Sequence, residues 1–281
     1  MRRIALTVVA LFAHLFVSQP GIVPAAPFGS HVVYVPLVAH QYPPRHGVGM
    51  GWAECGDWAI LRPAWYYNWG YESACPDAVG VEYVDMIWGA GNMNDLIGTP
   101  WLLGFNEPNL CGQANITPAQ GAVLWRQVEA QHPDRRLVSP SPSQPVPDGW
   151  CQTWPNGYDW LWEMERVYEL LYHGRPRFNA LAVHYYAGVH EESLPQYLAR
   201  IRDEALAHGH AVPIWLTEFG TCGDASWMDE SVTWLRAQPW IARWAWYSAR
   251  IPDPSWGCSA LLDDDGLTAY GEHFVALREG Q

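Results

Sequence analysis

The chain has 281 residues, 49% of them hydrophobic, which is enough for one sizeable core and for a single α/β barrel. With 16 basic and 29 acidic side chains, its formal net charge of −13 argues against nucleic acid and anionic membranes as partners. Every basic residue is arginine. The absence of lysine excludes Schiff-base aldolases, pyridoxal enzymes and P-loop enzymes, which all depend on one.

The first 25 residues have the pattern of a secretory signal peptide. Two arginines follow Met1, an apolar stretch of 14 residues covers 4–17, and Val23-Pro24-Ala25 offers a small-residue cleavage site. A membrane helix needs about 20 apolar residues, so we expect cleavage and no membrane span in the mature chain. We predict a signal peptide over 1–25, a spacer over 26–44 and one barrel domain over 45–281, in a secreted or cell-surface protein.

Eight apolar segments follow, separated by helix-length stretches, and they predict alternating strands and helices with a parallel sheet. They cover residues 46–52, 65–69, 82–88, 101–105, 136–140, 180–184, 212–217 and 241–247. At this number and length, a closed (β/α)₈ TIM barrel is the economical architecture. Thr117 with Gln120, and Ser193 with Gln196, predict capping boxes where two helices begin.

The six cysteines fit an oxidising compartment, in which disulfides persist. They are Cys55, Cys75, Cys111, Cys151, Cys222 and Cys258. No Cys-x-x-Cys pair occurs, which argues against a zinc clip or thioredoxin-like chemistry. Each cysteine follows a different predicted strand, so all six are expected in loops on one face of the barrel. Neighbouring loops meet the short Cα–Cα reach of a disulfide, which predicts the pairs 55–75, 111–151 and 222–258.

Two glutamates close apolar strands, Glu107 after the fourth and Glu218 after the seventh. Both are therefore expected at the carboxyl-terminal face, where the active sites of such barrels lie. Each local motif is weak alone, but two carboxylates held across one sugar can cleave a glycosidic bond, one protonated and the other ionised. The 18 tryptophans add flat rings that suit sugar faces, although about half are expected in the core. The pattern predicts a glycoside hydrolase.

The block Gly104-Phe-Asn-Glu-Pro108, followed by Ala122-Val-Leu-Trp125, resembles glycoside hydrolase family 128. Further matching segments are Trp65-Tyr-Tyr-Asn-Trp69, Leu137-Val-Ser-Pro140, Ala182-Val-His-Tyr-Tyr186 and Ile214-Trp-Leu-Thr-Glu-Phe-Gly220, and the resemblance extends from about Gly47 to Phe274. It implies a retaining enzyme of clan A with catalytic glutamates after strands four and seven, acting on β-1,3-glucan. The cysteine-containing loops are not typical of the fungal members, and they leave the linkage specificity open.

The resemblance also implies roles for matching residues. Glu107 would be the general acid/base and Glu218 the nucleophile, with carboxyl groups roughly 5–5.5 Å apart. Asn106 would contact the sugar 2-hydroxyl, and Tyr186 would donate a hydrogen bond to the nucleophile. The whole implied substrate-binding set is Asn68, Trp69, Asn106, His184, Tyr186 and Trp246. Within it, Trp246 would be the platform beneath the sugar, whereas Asn68 and Trp69 would line the non-reducing side of the cleft.

Other interpretations stay open for several residues. Trp244 and Trp246 share one face of the last strand, so one of them could pack in the core. His184 could be an interior histidine with a structural role. The run Asp263-Asp-Asp-Gly266 is incomplete as a calcium loop, and His208 and His210 lack a third ligand nearby. We therefore expect no metal and no cofactor.

Taken together, the residues and the resemblance predict a secreted, monomeric, retaining β-1,3-glucanase that acts on a neutral polysaccharide. One alternative is a related retaining activity on β-1,4-glucan, mannan or xylan. Another is a carbohydrate-binding barrel that has lost turnover, although the presence of both Glu107 and Glu218 counts against it.

Overall fold

The computed structural model describes residues 45–51, 53–95, 98–147, 149–155, 157–189, 191–251 and 257–279. The predicted signal peptide and spacer lie outside these residues. Among the helices that are described, none combines the length and the apolar character needed to cross a membrane.

The described strands occur close to the predicted positions. They are β1 (Arg45–Gly49), β2 (Trp65–Tyr67), β3 (Glu82–Tyr83), β4 (Asp85–Met86), β5 (Trp101–Leu103), β6 (Arg136–Leu137), β7 (Leu181–Tyr186), β8 (Ile214–Gly220) and β9 (Ile241–Trp246). A separate antiparallel pair, β10 (Leu262–Asp263) and β11 (Gly266–Leu267), follows β9. Since only Val84 separates β3 from β4, these two form one strand of the barrel.

The strands of the barrel pair in two parallel groups. Six strands pair in the order β3-β2-β1-β9-β8-β7 and three more in the order β4-β5-β6, with all neighbours parallel. The continuity of β3 with β4 joins the two groups on one side, and a parallel bridge between Val138 and Ala180 joins β6 to β7 on the other. The protein is thus a (β/α)₈ TIM barrel, as the sequence predicted.

The α-helices of the described residues are α1 (Trp58–Leu61), α2 (Pro118–Gln131), α3 (Asp159–Tyr172), α4 (Leu194–Ala207), α5 (Ser226–Arg236) and α6 (Ala269–Glu279). Both predicted capping boxes are present. The backbone N–H groups of Thr117 and Ser193 each donate to the side chain of a glutamine three residues later, and Thr117 Oγ1 accepts from the backbone N–H of Gln120. The connection from β2 to β3, residues 68–81, contains no helix. A loop therefore takes the place of the helix that would follow β2 in a regular (β/α)₈ barrel.

Side chains alternate between the barrel interior and the layer between strands and helices. Trp65, Tyr67, Trp215 and Ala245 belong to one buried apolar cluster, which fills the barrel. Their neighbours along the strands belong to the outer cluster that packs against the helices, for example Tyr66, Leu216, Trp244 and Trp246. This alternation decides which residues at the strand ends reach the cleft.

A β-bulge in β8 interrupts the alternation where it matters most. Trp215 faces the barrel interior, so strict alternation would turn residue 218 outward and residue 219 inward. The pairing register instead shifts between Leu216 and Phe219, and Phe219 packs in the outer core. The extra residue directs Glu218 toward the cleft, because a bulge reorients the side chains that follow it.

Candidate active site

Glu107 and Glu218 meet above the carboxyl-terminal end of the barrel. One carboxylate oxygen from each, together with a ring nitrogen of His184, lie within 4.8 Å of one another. Both glutamates are buried, with 9% and 5% of their surfaces exposed. The structure therefore brings together the two acids that lie 111 residues apart in the chain.

Close packing of two strand ends positions Glu107. Its backbone N–H donates to the carbonyl oxygen of Ser141 at 2.9 Å, and its φ is +40°. Three residues earlier, a side chain on Gly104 would place a Cβ 2.6 Å from the backbone nitrogen of Pro140. Glycine is required there because the extended segments after β5 and β6 approach closely.

The surroundings of Glu107 favour its protonated form. Burial raises the pKa of this carboxyl, and the nearby charge of Glu218 adds to that effect. The hydrogen bond between His184 Nδ1 and Glu107 Oε1, at 3.1 Å, opposes the shift without reversing it. A carboxyl group of this kind can act as a proton donor near neutral pH.

The surroundings of Glu218 stabilise a negative charge. Tyr186 Oη donates to Oε2 at 2.6 Å, and Trp69 Nε1 donates to Oε1 at 2.8 Å. Tyr67 Oη lies 3.2 Å from the same Oε1. Charge-assisted hydrogen bonds of this type stabilise the ionised carboxylate. The two acids thus have the contrasting environments that acid and nucleophile require.

His184 lies between the two carboxylates and is fully buried. Burial opposes protonation of the ring, but the charge of Glu218 and the hydrogen bond to Glu107 outweigh it and raise the pKa of His184. Its Nδ1 is 3.5 Å from Glu218 Oε2. A protonated His184 therefore reduces the repulsion between the two acids.

Tyr247 is an aromatic residue of the cleft that the sequence analysis missed. Its ring meets Trp69 at 5.8 Å and Tyr186 at 5.7 Å, both in edge-on geometry. Burial, with the charges of Glu218 and Glu107, raises its pKa to about 12. The signal was present in the sequence, because Tyr247 shares the inward alternation of Ala245 on β9.

The assignment of Trp246 as the sugar platform is wrong. The residue is fully buried, its ring packs edge-on against Phe219 at 5.0 Å, and its Nε1 donates to the carbonyl oxygen of Ser259 at 2.7 Å. It belongs to the outer core, as does Trp244. Alternation along β9 turns both tryptophans away from the cleft.

Asn68 is also not brought to the carboxylates. Its Nδ2 donates to the carbonyl oxygen of Glu72, and its Oδ1 accepts from Gly70 N–H and Tyr83 Oη. These hydrogen bonds stabilise the conformation of the loop after β2. Asn68 therefore acts on the cleft by supporting the loop that carries Trp69.

Asn106 precedes Glu107 and is almost fully buried. Its Nδ2 donates to Gln113 Oε1 at 3.1 Å, whereas its Oδ1 has no partner among the described residues. A buried amide with an open position beside the acid is a suitable ligand for a sugar hydroxyl. Its role as the contact to the 2-hydroxyl stays a prediction.

Three disulfides hold the loops around the cleft, with the predicted pairing. They join Cys55 to Cys75, Cys111 to Cys151 and Cys222 to Cys258, with Cα–Cα distances of 5.4, 5.4 and 5.1 Å. The second begins four residues after Glu107, where Leu110 also pairs antiparallel with Gln152. The loop that carries the acid is therefore anchored to the loop after β6.

Glu107, His184 and Glu218 also have a spacing that a metal ion could use. The hydrogen bonds around these three residues fit proton transfer better than metal binding. Both oxygens of Glu218 already accept bonds from tyrosine and tryptophan, and His184 Nδ1 faces both carboxylates. The donor set is that of a proton-transfer site.

Residues 58–274 match a family model described as a glycosyl hydrolase catalytic core. The structure is similar to that of a glycoside hydrolase family 128 (subgroup II) endo-β-1,3-glucanase from Sorangium cellulosum, with 30% identity, a TM-score of 0.67, and coverage of 83% of this chain and 98% of that chain. A subgroup II endo-β-1,3-glucanase from Pseudomonas viridiflava gives 28% identity, a TM-score of 0.67 and coverage of 83% and 97%.

A subgroup I endo-β-1,3-glucanase from Amycolatopsis mediterranei, solved in complex with laminaritriose, is more distant. It gives 23% identity, a TM-score of 0.63 and coverage of 83% of this chain and 98% of that chain. At this identity the similarity concerns the fold alone. A comparison with curated proteins gave no match.

Proposed function

Because the chain belongs to glycoside hydrolase family 128, we propose that it cleaves β-1,3-glucan by double displacement with retention of configuration. One observation carries the mechanism: oxygens of two carboxylates with contrasting environments lie within 4.8 Å of each other. Retaining enzymes hold their carboxyl groups about 5–5.5 Å apart, whereas inverting enzymes need about 6.5–9.5 Å to admit a water molecule. The short spacing supports retention.

In the first step, Glu218 is the nucleophile and Glu107 the general acid. A bond forms between a Glu218 oxygen and the anomeric carbon, and the bond from that carbon to the leaving oxygen breaks. Glu107 gives its proton to the leaving oxygen. The burial that raises the pKa of Glu107 supports this assignment, because it keeps the acid protonated before the step.

In the second step, water attacks the anomeric carbon of the glycosyl-enzyme. The ionised Glu107 accepts a proton from that water, and the bond to Glu218 breaks, which restores both groups. His184, in contact with both acids, is suited to buffer the change of charge on Glu107. Two inversions give overall retention.

The other residues of the cleft bind and orient the sugar. We assign the 2-hydroxyl contact to Asn106, whose Oδ1 is open among the described residues. We assign the platform to Tyr247 instead of Trp246, since its ring is half-buried at the cleft between Trp69 and Tyr186. Aromatic rings pack well against the apolar faces of pyranoses.

The β-1,3 linkage is supported by the relatives of subgroup II, which are endo-β-1,3-glucanases. We further propose that residues 45–281 are the catalytic domain of a secreted or cell-surface monomer, preceded by a signal peptide (1–25) and a spacer (26–44). Three disulfides support an oxidising compartment. Hydrolysis of β-1,4-glucan, mannan or xylan, and sugar binding without turnover, are the competing functions.

The test is product analysis on β-1,3-glucan, with cellulose, mannan and xylan in parallel. Oligosaccharides from β-1,3-glucan alone, absent with Glu218→Gln, are the expected result. Products from a different polymer would overturn the substrate and keep the mechanism. Binding to β-1,3-glucan without products would overturn the catalytic proposal.

A further inference from the structure

Trp69 contacts the proposed nucleophile directly. Its Nε1 donates to Glu218 Oε1 at 2.8 Å. The family resemblance implies that this residue lines the non-reducing side of the cleft. An indole N–H can only donate and does not ionise in water, so this bond persists at every pH at which Glu218 is an acceptor.

The chain constrains Trp69 in three ways. Its φ is +59°, a conformation that bulky residues rarely adopt and that marks functional positions when the surrounding structure enforces it. Its ring meets Tyr67 edge-on at 4.9 Å. The indole ring also packs against Gly49, because a Cβ at that position would lie 2.9 Å from Trp69 Cη2. The backbone conformation, the ring of Tyr67 and the space above Gly49 thus fix the orientation of the indole.

The donors divide unequally between the two oxygens of Glu218. Oε1 accepts from Trp69 and lies 3.2 Å from Tyr67 Oη. The single proton of that hydroxyl is shared with the carbonyl oxygen of Thr217, which lies 2.9 Å from Tyr67 Oη. Oε2 accepts from Tyr186, and His184 Nδ1 stands 3.5 Å away, too far for a good hydrogen bond. Each carboxylate oxygen has two lone pairs, so Oε2 keeps one for bond formation.

We propose that Trp69 is a positioning residue that holds Glu218 Oε1 as the oxygen that does not react, so that Oε2 attacks the anomeric carbon. The inference rests on the proposed function. As the Oε2–carbon bond forms and the bond to the leaving oxygen breaks, Glu107 gives its proton to that oxygen. Oε1 becomes the carbonyl oxygen of the glycosyl ester and keeps its bond from Trp69.

Trp69→Phe tests this role, because it keeps an aromatic ring and removes the N–H. The groups that face Glu218 are Tyr67 from β2, Glu107 after β5, His184 and Tyr186 from β7, and Tyr247 after β9. All of them remain in the variant. Without the indole donor Oε1 is no longer fixed and the ester carbonyl loses its hydrogen bond, so kcat falls by about 10- to 100-fold while KM changes little.

Gly49→Ala is a second variant that leaves every polar group intact. Its Cβ would displace the ring of Trp69. The expected result is a smaller fall in kcat. Trp240→Phe, which makes the same chemical change next to Arg202 at the amino-terminal side of β9, is the control and leaves kcat and KM unchanged.

The measurement is kcat and KM against pH on soluble β-1,3-gluco-oligosaccharides, after the wild type has been shown to be active. A lowered kcat with a nearly unchanged KM across the pH range supports the positioning role. A raised KM with an unchanged kcat overturns it and makes Trp69 a sugar platform. An inactive wild type would instead refute the proposed function.

A crystal structure of the enzyme trapped with a 2-deoxy-2-fluoro glycoside tests the choice of oxygen. The inference expects an ester through Oε2, with the carbonyl oxygen within hydrogen-bond distance of Trp69 Nε1. An ester formed through the oxygen that Trp69 contacts would overturn it.

Discussion

Replacing Trp246 by Phe tests whether this residue packs in the core or binds sugar. The ring is fully buried against Phe219, and its N–H donates to the buried carbonyl of Ser259. Loss of that donor leaves a buried carbonyl oxygen without a hydrogen bond, which lowers the free energy of unfolding by about 1–3 kcal/mol. The smaller ring adds about 1 kcal/mol for the space it leaves. We therefore predict that Trp246→Phe lowers the free energy of unfolding by about 2–4 kcal/mol.

Thermal unfolding and steady-state kinetics on β-1,3-gluco-oligosaccharides check this prediction. At about 2–4 °C per kcal/mol for a domain of this size, Tm falls by about 4–16 °C. Below that Tm, kcat and KM stay at wild-type values, because Trp246 faces away from the cleft. Tyr247→Ala, the matched variant one residue later, gives the opposite result: a large loss of kcat/KM with a smaller change in Tm. A raised KM for Trp246→Phe with an unchanged Tm would refute the reasoning.

Three more predictions follow from the site. Burial raises the pKa of Glu107. The basic limb of the kcat/KM profile, where this acid loses its proton, therefore lies at a higher pH than the pKa of an ordinary glutamate. Glu107→Gln abolishes that limb in a pH–rate profile. Gly104→Ala forces a Cβ to within 2.6 Å of backbone and lowers both Tm and kcat, whereas Gly56→Ala, with open space around it, leaves both unchanged; equal Tm values for the two variants would contradict the packing account. Replacing Cys111 and Cys151 by Ser lowers the unfolding free energy by about 2–4 kcal/mol in urea denaturation, and an unchanged urea midpoint would show that this disulfide adds no stability.

The barrel could be predicted from the sequence because eight apolar segments alternate with helix-length stretches, two of them marked by capping boxes. The disulfide pairing followed from the same topology, since neighbouring loops on one face bring cysteines such as Cys55 and Cys75 together. Strand ends were less accurate. The predicted seventh strand stopped at residue 217, whereas β8 continues through Glu218 to Gly220.

The errors in the site come from side-chain direction. The bulge in β8 that turns Glu218 inward has no clear signature in a single sequence, because it depends on the register with β7 and β9. Trp246 is a different case, because alternation from Ala245 on β9 favours Tyr247 as the residue that reaches the cleft, whereas the family resemblance implies the neighbouring tryptophan.

The bond from Trp69 to Glu218 could not be predicted. It depends on a positive φ at Trp69 and on the space above Gly49, and both are properties of the folded loop. Asn68 shows the same limit, because its hydrogen bonds within the loop after β2 and to Tyr83 on β3 are properties of the folded loop.

The central claim is that Glu218 is the nucleophile of a retaining glycoside hydrolase. Incubation with an activated 2-deoxy-2-fluoro β-laminaribioside, followed by mass spectrometry of the intact protein and its peptides, tests it most directly. The account predicts one added glycosyl group, located on Glu218 and absent in Glu218→Gln. A label on another residue, or no label together with product of inverted anomeric configuration, would contradict it.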